Sequence, residues 1–173
     1  MAVSADDFRQ GMRRLGGAVT IVATASETEQ AGLTATAVTS LSAEPPRLLA
    51  CINRAGKTFE ILTKGRNLSV NVLSVADRDL AIRFAGLDGS EETERFSEGD
   101  WRDCSSGAPY LSTALVSFGC HVETILDAGS HGIVIGSIET VHLPSQVAGN
   151  EQDLPPLFYM DGEWSSLMRL ESD

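Results

Sequence analysis

Apolar positions recur along the chain with two periods, and the changes from one to the other divide it into elements. Phe8, Met12 and Leu15 fall at i, i+4 and i+7 behind Ser4, which predicts a short capped amphipathic helix ended by Gly16-Gly17. Its apolar stripe calls for a covering surface. Residues 18–24 are rich in β-branched side chains and read as a strand, 26–32 has the polar character of a hairpin loop, and a second strand runs from 33 to 41. Glu44-Pro45-Pro46 interrupts the pattern before the apolar run 48–52, read as a buried strand. Helices are predicted over 57–64, closed by Gly65, and over 76–85, ended by Gly86, with a strand over 67–73 between them. From 87 to 110 the periodicity dissolves into a surface excursion anchored by Phe96 and Trp101. Val116, Phe118, Cys120, Val122 and Leu126 then share one parity, and the turn 127–130 leads into the run 131–136, which predicts a long hairpin. A loop over 144–156 and two short strands meeting at Asp161-Gly162 complete the pattern. Six or seven strands with a few helices and no regular βαβ alternation favour an antiparallel barrel flanked or plugged by helices.

Composition narrows the function more than the fold. The chain has 173 residues, 42% of them hydrophobic, which suits one domain spanning 1–173. Thirteen Lys and Arg against 24 Asp and Glu give a net charge of −11, a field that repels nucleic acid and anionic membrane surfaces. Charged residues interrupt every apolar run before the ~18 residues a membrane span needs. Three cysteines, Cys51, Cys104 and Cys120, form no CxxC pair and no even set, which points to a reducing compartment. The acidic start lacks the pattern of a signal peptide, and a cytoplasmic location is expected.

No phosphate-binding P-loop, GxGxxG, HExxH or GxSxG motif occurs. His121, His131 and His142 lie in the long hairpin, and no carboxylate cluster accompanies His121 or His142, so no metal site is expected. Residues 32–42 are small or hydroxylated, which lets a planar ligand approach backbone amides, although a tightly packed ordinary strand has the same composition. Asn53-Arg54-Ala55-Gly56-Lys57-Thr58 ends a strand and opens a helix with free amides, a lysine and a hydroxyl, which suits a phosphate as well as a plain helix cap. Cys51, between apolar neighbours, reads as a buried structural thiol. Phe96, Trp101 and Trp164 read as core anchors, and of the aromatics only Tyr159 is a candidate for function.

In order and spacing, these segments resemble the short-chain flavin reductases. The resemblance is carried by Phe8 to Thr24, Gly32 to Pro46, Cys51-Ile-Asn-Arg54, Asn67 to Leu73, Leu80 to Ala85, Pro109-Tyr-Leu111, Gly129 to Gly136 and Pro156 to Tyr159. It implies an FMN-binding split β-barrel, a homodimer, that oxidises NADH or NADPH and reduces FMN or FAD. It places Thr36, Ala37, Val38, Thr39 and Ser40 along the flavin ring and ribityl chain, with Asn53, Lys57, Thr58 and Asn71 near the phosphate end. His131 then faces the nicotinamide side and Tyr159 completes the binding set. The family's glycine-acid-histidine turn is Gly129-Ser130-His131 here, so its acid is lost. Asp161-Gly162 stands where a basic residue commonly precedes the glycine, which favours NADH over NADPH. The cofactors carry the redox chemistry, so no catalytic acid or base is assigned. Relatives of this kind pass reduced flavin to a separate monooxygenase. A branch that reduces the cobalt of cob(II)yrinic acid a,c-diamide in cobalamin synthesis and a non-catalytic flavin-binding barrel are the alternatives.

Overall fold

The computed structural model describes residues 3–144 and 154–167. Helix α1 (Ala5–Arg13) opens on Ser4, whose hydroxyl accepts the Asp7 amide at 3.0 Å. The strands that follow are β1 (Gly17–Ala18), β2 (Thr20–Ala25), β3 (Gln30–Ala35), β4 (Val38–Ala43) and β5 (Pro46–Asn53). Helix α2 (Lys57–Gly65) and β6 (Asn67–Val72) come next, then a 3-10 turn (Val75–Asp77) that runs into α3 (Arg78–Phe84). After the excursion come β7 (Trp101–Asp103), β8 (Pro109–Leu111), the long β9 (Val116–Ala128) and β10 (His131–His142), then β11 (Leu157–Met160) and β12 (Glu163–Ser166). The expected loop at 144–156 lies mostly outside the described residues.

Seven strands form one antiparallel sheet in the order β3-β2-β6-β9-β10-β5-β4. Its edges are β3 and β4, and the chain passes between them through Thr36 and Ala37 alone. Three Cα–Cα steps reach at most about 11 Å, so the sheet must curl until its edges meet at that point. Cys51 N donates to Ala37 O at 3.0 Å and holds the junction to β5. No ladder joins the edges elsewhere among the described residues, and the result is a split barrel, as expected.

The break at Thr36 corrects the single strand expected over 33–41. Two other boundaries also move. Gly65 does not terminate α2 as a left-handed cap, because Arg66 takes that conformation at φ 54°. Gly65 is required for close approach instead: a Cβ there would overlap the carbonyl of Ala25 in β2. On β9, Thr124 faces Ile135 and Val122 faces Gly136, which leaves Glu123 as a bulge. The bulge reverses the side-chain parity, so Ile125 packs on the core and Leu126, expected inside, is exposed. Arg66 steadies this bulge through the carbonyls of Val122 (2.7 Å) and Glu123 (2.9 Å), and Arg47 through the Glu123 carboxylate (2.7 Å).

Strand β2 is buried on both faces because it divides two cores. Val22 joins Leu48, Ala50, Ile52, Leu68, Val70, Val122 and Val134 inside the barrel, where Leu62 of α2 closes one end. Ile21 and Ala23 point outward to Ala81 and Phe84 of α3, beneath Phe96 and Trp101. Phe84, Phe96 and Trp101 meet at ring-centroid distances of 4.9–5.3 Å, so the two expected anchors do hold the excursion. Strand β11 pairs with β1 on one side and on the other with β12, joined to it by Asp161-Gly162, which makes a small second sheet. The described residues leave the stripe of α1 uncovered, with Phe8, Met12 and Leu15 all exposed.

Candidate functional site

Two concavities open where the barrel splits. The first, about 660 Å³, reaches into the barrel from the β1 side, between Thr36, Ala37, Val38, Thr39 and Ser40 on one wall and Leu48, Val70, Val72 and Phe118 below. The second, about 530 Å³, extends along α2 and is lined by Asn53, Gly56, Thr58, Arg95 and His131. Thr36, Ala37 and Cys51 line both, so the two lobes adjoin at the residues that carry the chain from one barrel edge to the other. Small side chains there keep the backbone within reach of a flat ligand.

The second lobe ends in groups suited to an anion. Gly56 begins α2 without a side-chain cap, and Phe59 N turns back to Gly56 O at 3.1 Å. The amides of Lys57 and Thr58 are then left as the orphan donors that a helix start carries. Thr58 is 2% exposed yet lines the lobe, so what it shows to solvent it shows there. Arg95 reaches in from the excursion with its side chain 15% exposed. Its Nη1 donates to Gly32 O (2.8 Å) and Glu92 Oε1 (3.2 Å), while Nε is buried with no partner among the described residues. A buried guanidinium N–H without an acceptor is an orphan donor, and the charged fork that carries it suits a phosphate oxygen in the lobe. A flavin phosphate therefore suits this end, and the apolar first lobe suits a planar ring.

Several residues expected at the site are brought together. Thr36 to Ser40 line the first lobe; Asn53, Thr58 and His131 line the second, with His131 opposite Asn53 where β10 pairs with β5. Three others are not. Lys57 lines neither lobe: its ammonium lies 3.0 Å from Glu29 and 3.5 Å from Glu60, and the hydrogen bond to Glu29 is the main cause pushing its pKa up. Asn71 is fully buried, because strand alternation turns Val70 and Val72 towards the first lobe and Asn71 away from it. Tyr159 lies outside both lobes, packed edge-on against Trp164 at 5.1 Å. Sequence reasoning missed Arg95, whose only local signal was a basic residue beside an expected aromatic anchor.

Cys51, read as buried, is half-buried at the meeting point of the lobes. Cys104 and Cys120 are buried, and burial is the main cause pushing the Cys120 thiol up to about 12. A maleimide is therefore expected to label Cys51 first, and bound FMN to slow that labelling, as read by peptide mass spectrometry. Equal labelling with and without FMN would place the flavin elsewhere. Of the other histidines, His121 is exposed and His142 stacks on Tyr110 at 3.9 Å. No cluster of three metal-ligating side chains exists among the described residues, nor does any helix long and apolar enough to cross a membrane.

A split barrel whose opening joins an apolar slot to an uncapped helix start suits a flat, phosphate-bearing cofactor, as a cofactor-binding domain does. The chain belongs to the flavin reductase like domain family, whose profile matches residues 12–168. It is 34% identical over 167 residues to the FMN reductase (NADH) RutF of Escherichia coli O157:H7 (strain EC4115), covering 96% of each chain. A crystal structure described as a flavin reductase from Haemophilus somnus 129PT superposes with a TM-score of 0.86 at 34% identity, covering 95% of this chain and 100% of that one. BorF, the flavin reductase component of a bacterial two-component tryptophan halogenase, shares the fold with a TM-score of 0.82 at 23% identity, over 96% and 100% of the two chains.

Proposed function

We propose that this protein is an NADH-dependent flavin reductase that reduces FMN and yields the reduced flavin to a partner monooxygenase. The observation that carries this reading is the two-lobed cleft, with a slot for a ring on one side of Thr36 and an anion end at Arg95 and α2 on the other. The name of the E. coli relative supports the flavin and the nicotinamide cofactor, and family membership supports the reductase activity. When bound, the flavin supplies the hydride acceptor and NADH the hydride. The chain's own part is geometric. Backbone from Thr36 to Ser40 would hold the flavin ring, Val70, Val72 and Phe118 would keep water from it, and Arg95, Thr58 and the first amides of α2 would hold the phosphate. His131, which lines the second lobe next to the β9–β10 turn, would face the dinucleotide. The exposed Phe8, Met12 and Leu15 supply an apolar face for a homodimer.

The test is anaerobic mixing of protein, FMN and NADH with flavin absorbance followed in time. Bleaching that air reverses is the expected result, and retained yellow colour would sink the reductase reading in favour of a non-catalytic flavin carrier. Adding excess free FMN or cob(II)yrinic acid a,c-diamide to the reduced protein separates release of reduced flavin from a corrinoid acceptor. Sedimentation equilibrium tests the dimer, for which a monomer at micromolar concentration is the contrary outcome.

A further inference from the structure

The tip of the β9–β10 hairpin is braced by a side chain that touches neither lobe of the cleft. Gly129 (φ +73°) and Ser130 make a two-residue turn immediately before His131. Such a tip projects from long strands of 13 and 12 residues and has little of its own to hold it. Arg54, the residue after β5, grips it at several points. Its backbone amide donates to Ser130 O at 3.0 Å, and its Nη1 donates to Gly129 O at 3.3 Å and to the Asp127 carboxylate. Asp127 in turn accepts the Gly129 amide at 2.8 Å, closing the turn from within. The guanidinium lies 5.9 Å from the centre of the Phe59 ring, which anchors it to α2. Phe59 packs against Gly132, where a Cβ would overlap the ring. The clamp thus joins the tip to the same β5–α2 turn that supplies Asn53, Gly56 and Thr58 to the second lobe. Donation from Gly129, then from Arg54, holds the Asp127 carboxyl below its usual range, so the pair stays charged near neutrality. Ser130 Oγ lies 2.9 Å from His131 Nδ1 and carries the constraint to the imidazole.

We propose that Arg54 is a positioning residue that sets His131 for the nicotinamide dinucleotide by clamping the hairpin tip to the start of α2. This rests on the reading above that His131 faces the dinucleotide. Arg54 lines neither lobe, so it acts through the tip and not on a ligand. Its charge is spent on Asp127, which leaves it no strong attraction for a further phosphate on the dinucleotide.

The experiment compares Arg54→Ala, Arg54→Lys, His131→Ala and the Arg54→Ala/His131→Ala double variant by steady-state kinetics, with FMN affinity measured by fluorescence. Arg54→Ala should raise KM for NADH about five- to tenfold, with kcat and FMN Kd within about twofold. Lysine should restore part of the loss, since it keeps the charge towards Asp127 but not the planar fork over Phe59. The double variant should be no worse than His131→Ala alone. A raised KM in His131→Ala with none in Arg54→Ala would overturn the clamp, and so would additive losses in the double variant or an equal loss of FMN affinity. An unchanged KM in His131→Ala would instead remove the assignment of His131 on which the clamp rests.

Discussion

Arg95→Met is expected to weaken FMN binding about ten- to a hundredfold, the range spanned by loss of a hydrogen bond to a charged group. Methionine keeps most of the aliphatic stem and loses the guanidinium, whose Nη2 lies beside Gly86, so the change removes charge and donors more than volume. Three features make Arg95 the cation of choice at the phosphate end. Among the described residues it is the one Lys or Arg that lines the second lobe, it is largely buried, and its Nε has no acceptor there. Its ion pair with Glu92 leaves room for a second partner, because Glu92 engages only Nη1. Lys57, by contrast, is already divided between Glu29 and Glu60 on the outer flank of α2. Lys57→Ala should therefore change FMN affinity by no more than about twofold, as for exposed ion pairs generally. Fluorescence titration of both variants decides the matter. A larger loss in Lys57→Ala than in Arg95→Met would put the phosphate on the outer flank of the helix and defeat the assignment to the second lobe.

That contrast shows how far the sequence could be read. A lysine at the first helical position is a visible phosphate signal, whereas Arg95 comes from a stretch without periodicity, more than 35 residues away in sequence. Only the fold brings it to the lobe on which α2 opens, by laying Phe96 and Trp101 over Phe84 so that the preceding arginine turns inward. The barrel itself was legible, because alternation and turn residues mark most of its strands. The split was not. Residues 33–41 are small and β-prone throughout, so nothing local marks Thr36-Ala37 as the point where one edge strand ends and the other begins. That junction is also the centre of the cleft, and it places Cys51 there, although the apolar neighbours of the thiol suggested burial. The bulge at Glu123 was equally silent, since a single inserted residue changes parity without changing composition.

Asn71→Ala is expected to destabilise the protein by about 2–4 kcal/mol while leaving FMN affinity of the folded protein within about twofold. Strand β6 presents Asn67, Ser69 and Asn71 on one parity, a pattern that ordinarily marks a solvated face, yet all three are buried. They are covered because the excursion returns over them as β8. Ser69 Oγ donates to Pro109 O, and Asn71 Oδ1 accepts the Leu111 amide and the Ser117 hydroxyl, each at 2.8 Å. On its other side Asn71 Nδ2 donates to Ile21 O at 2.9 Å and Ser69 Oγ at 3.0 Å, so one carboxamide ties together β2, β6, β8 and β9. Removing it leaves a buried amide, a buried carbonyl and two buried hydroxyls each short of a partner, a cost that no single surface substitution matches. In a domain of this size the melting temperature should fall by roughly 5–15 °C. Thermal or urea unfolding measures the loss, and titration of the folded variant measures the flavin. Unchanged stability with lost FMN binding would mean that Asn71 reaches the cofactor, as the family resemblance implied, and that the polar face of β6 belongs to the site. The expected outcome assigns that face to the excursion, which it holds so that Arg95 can reach the cleft.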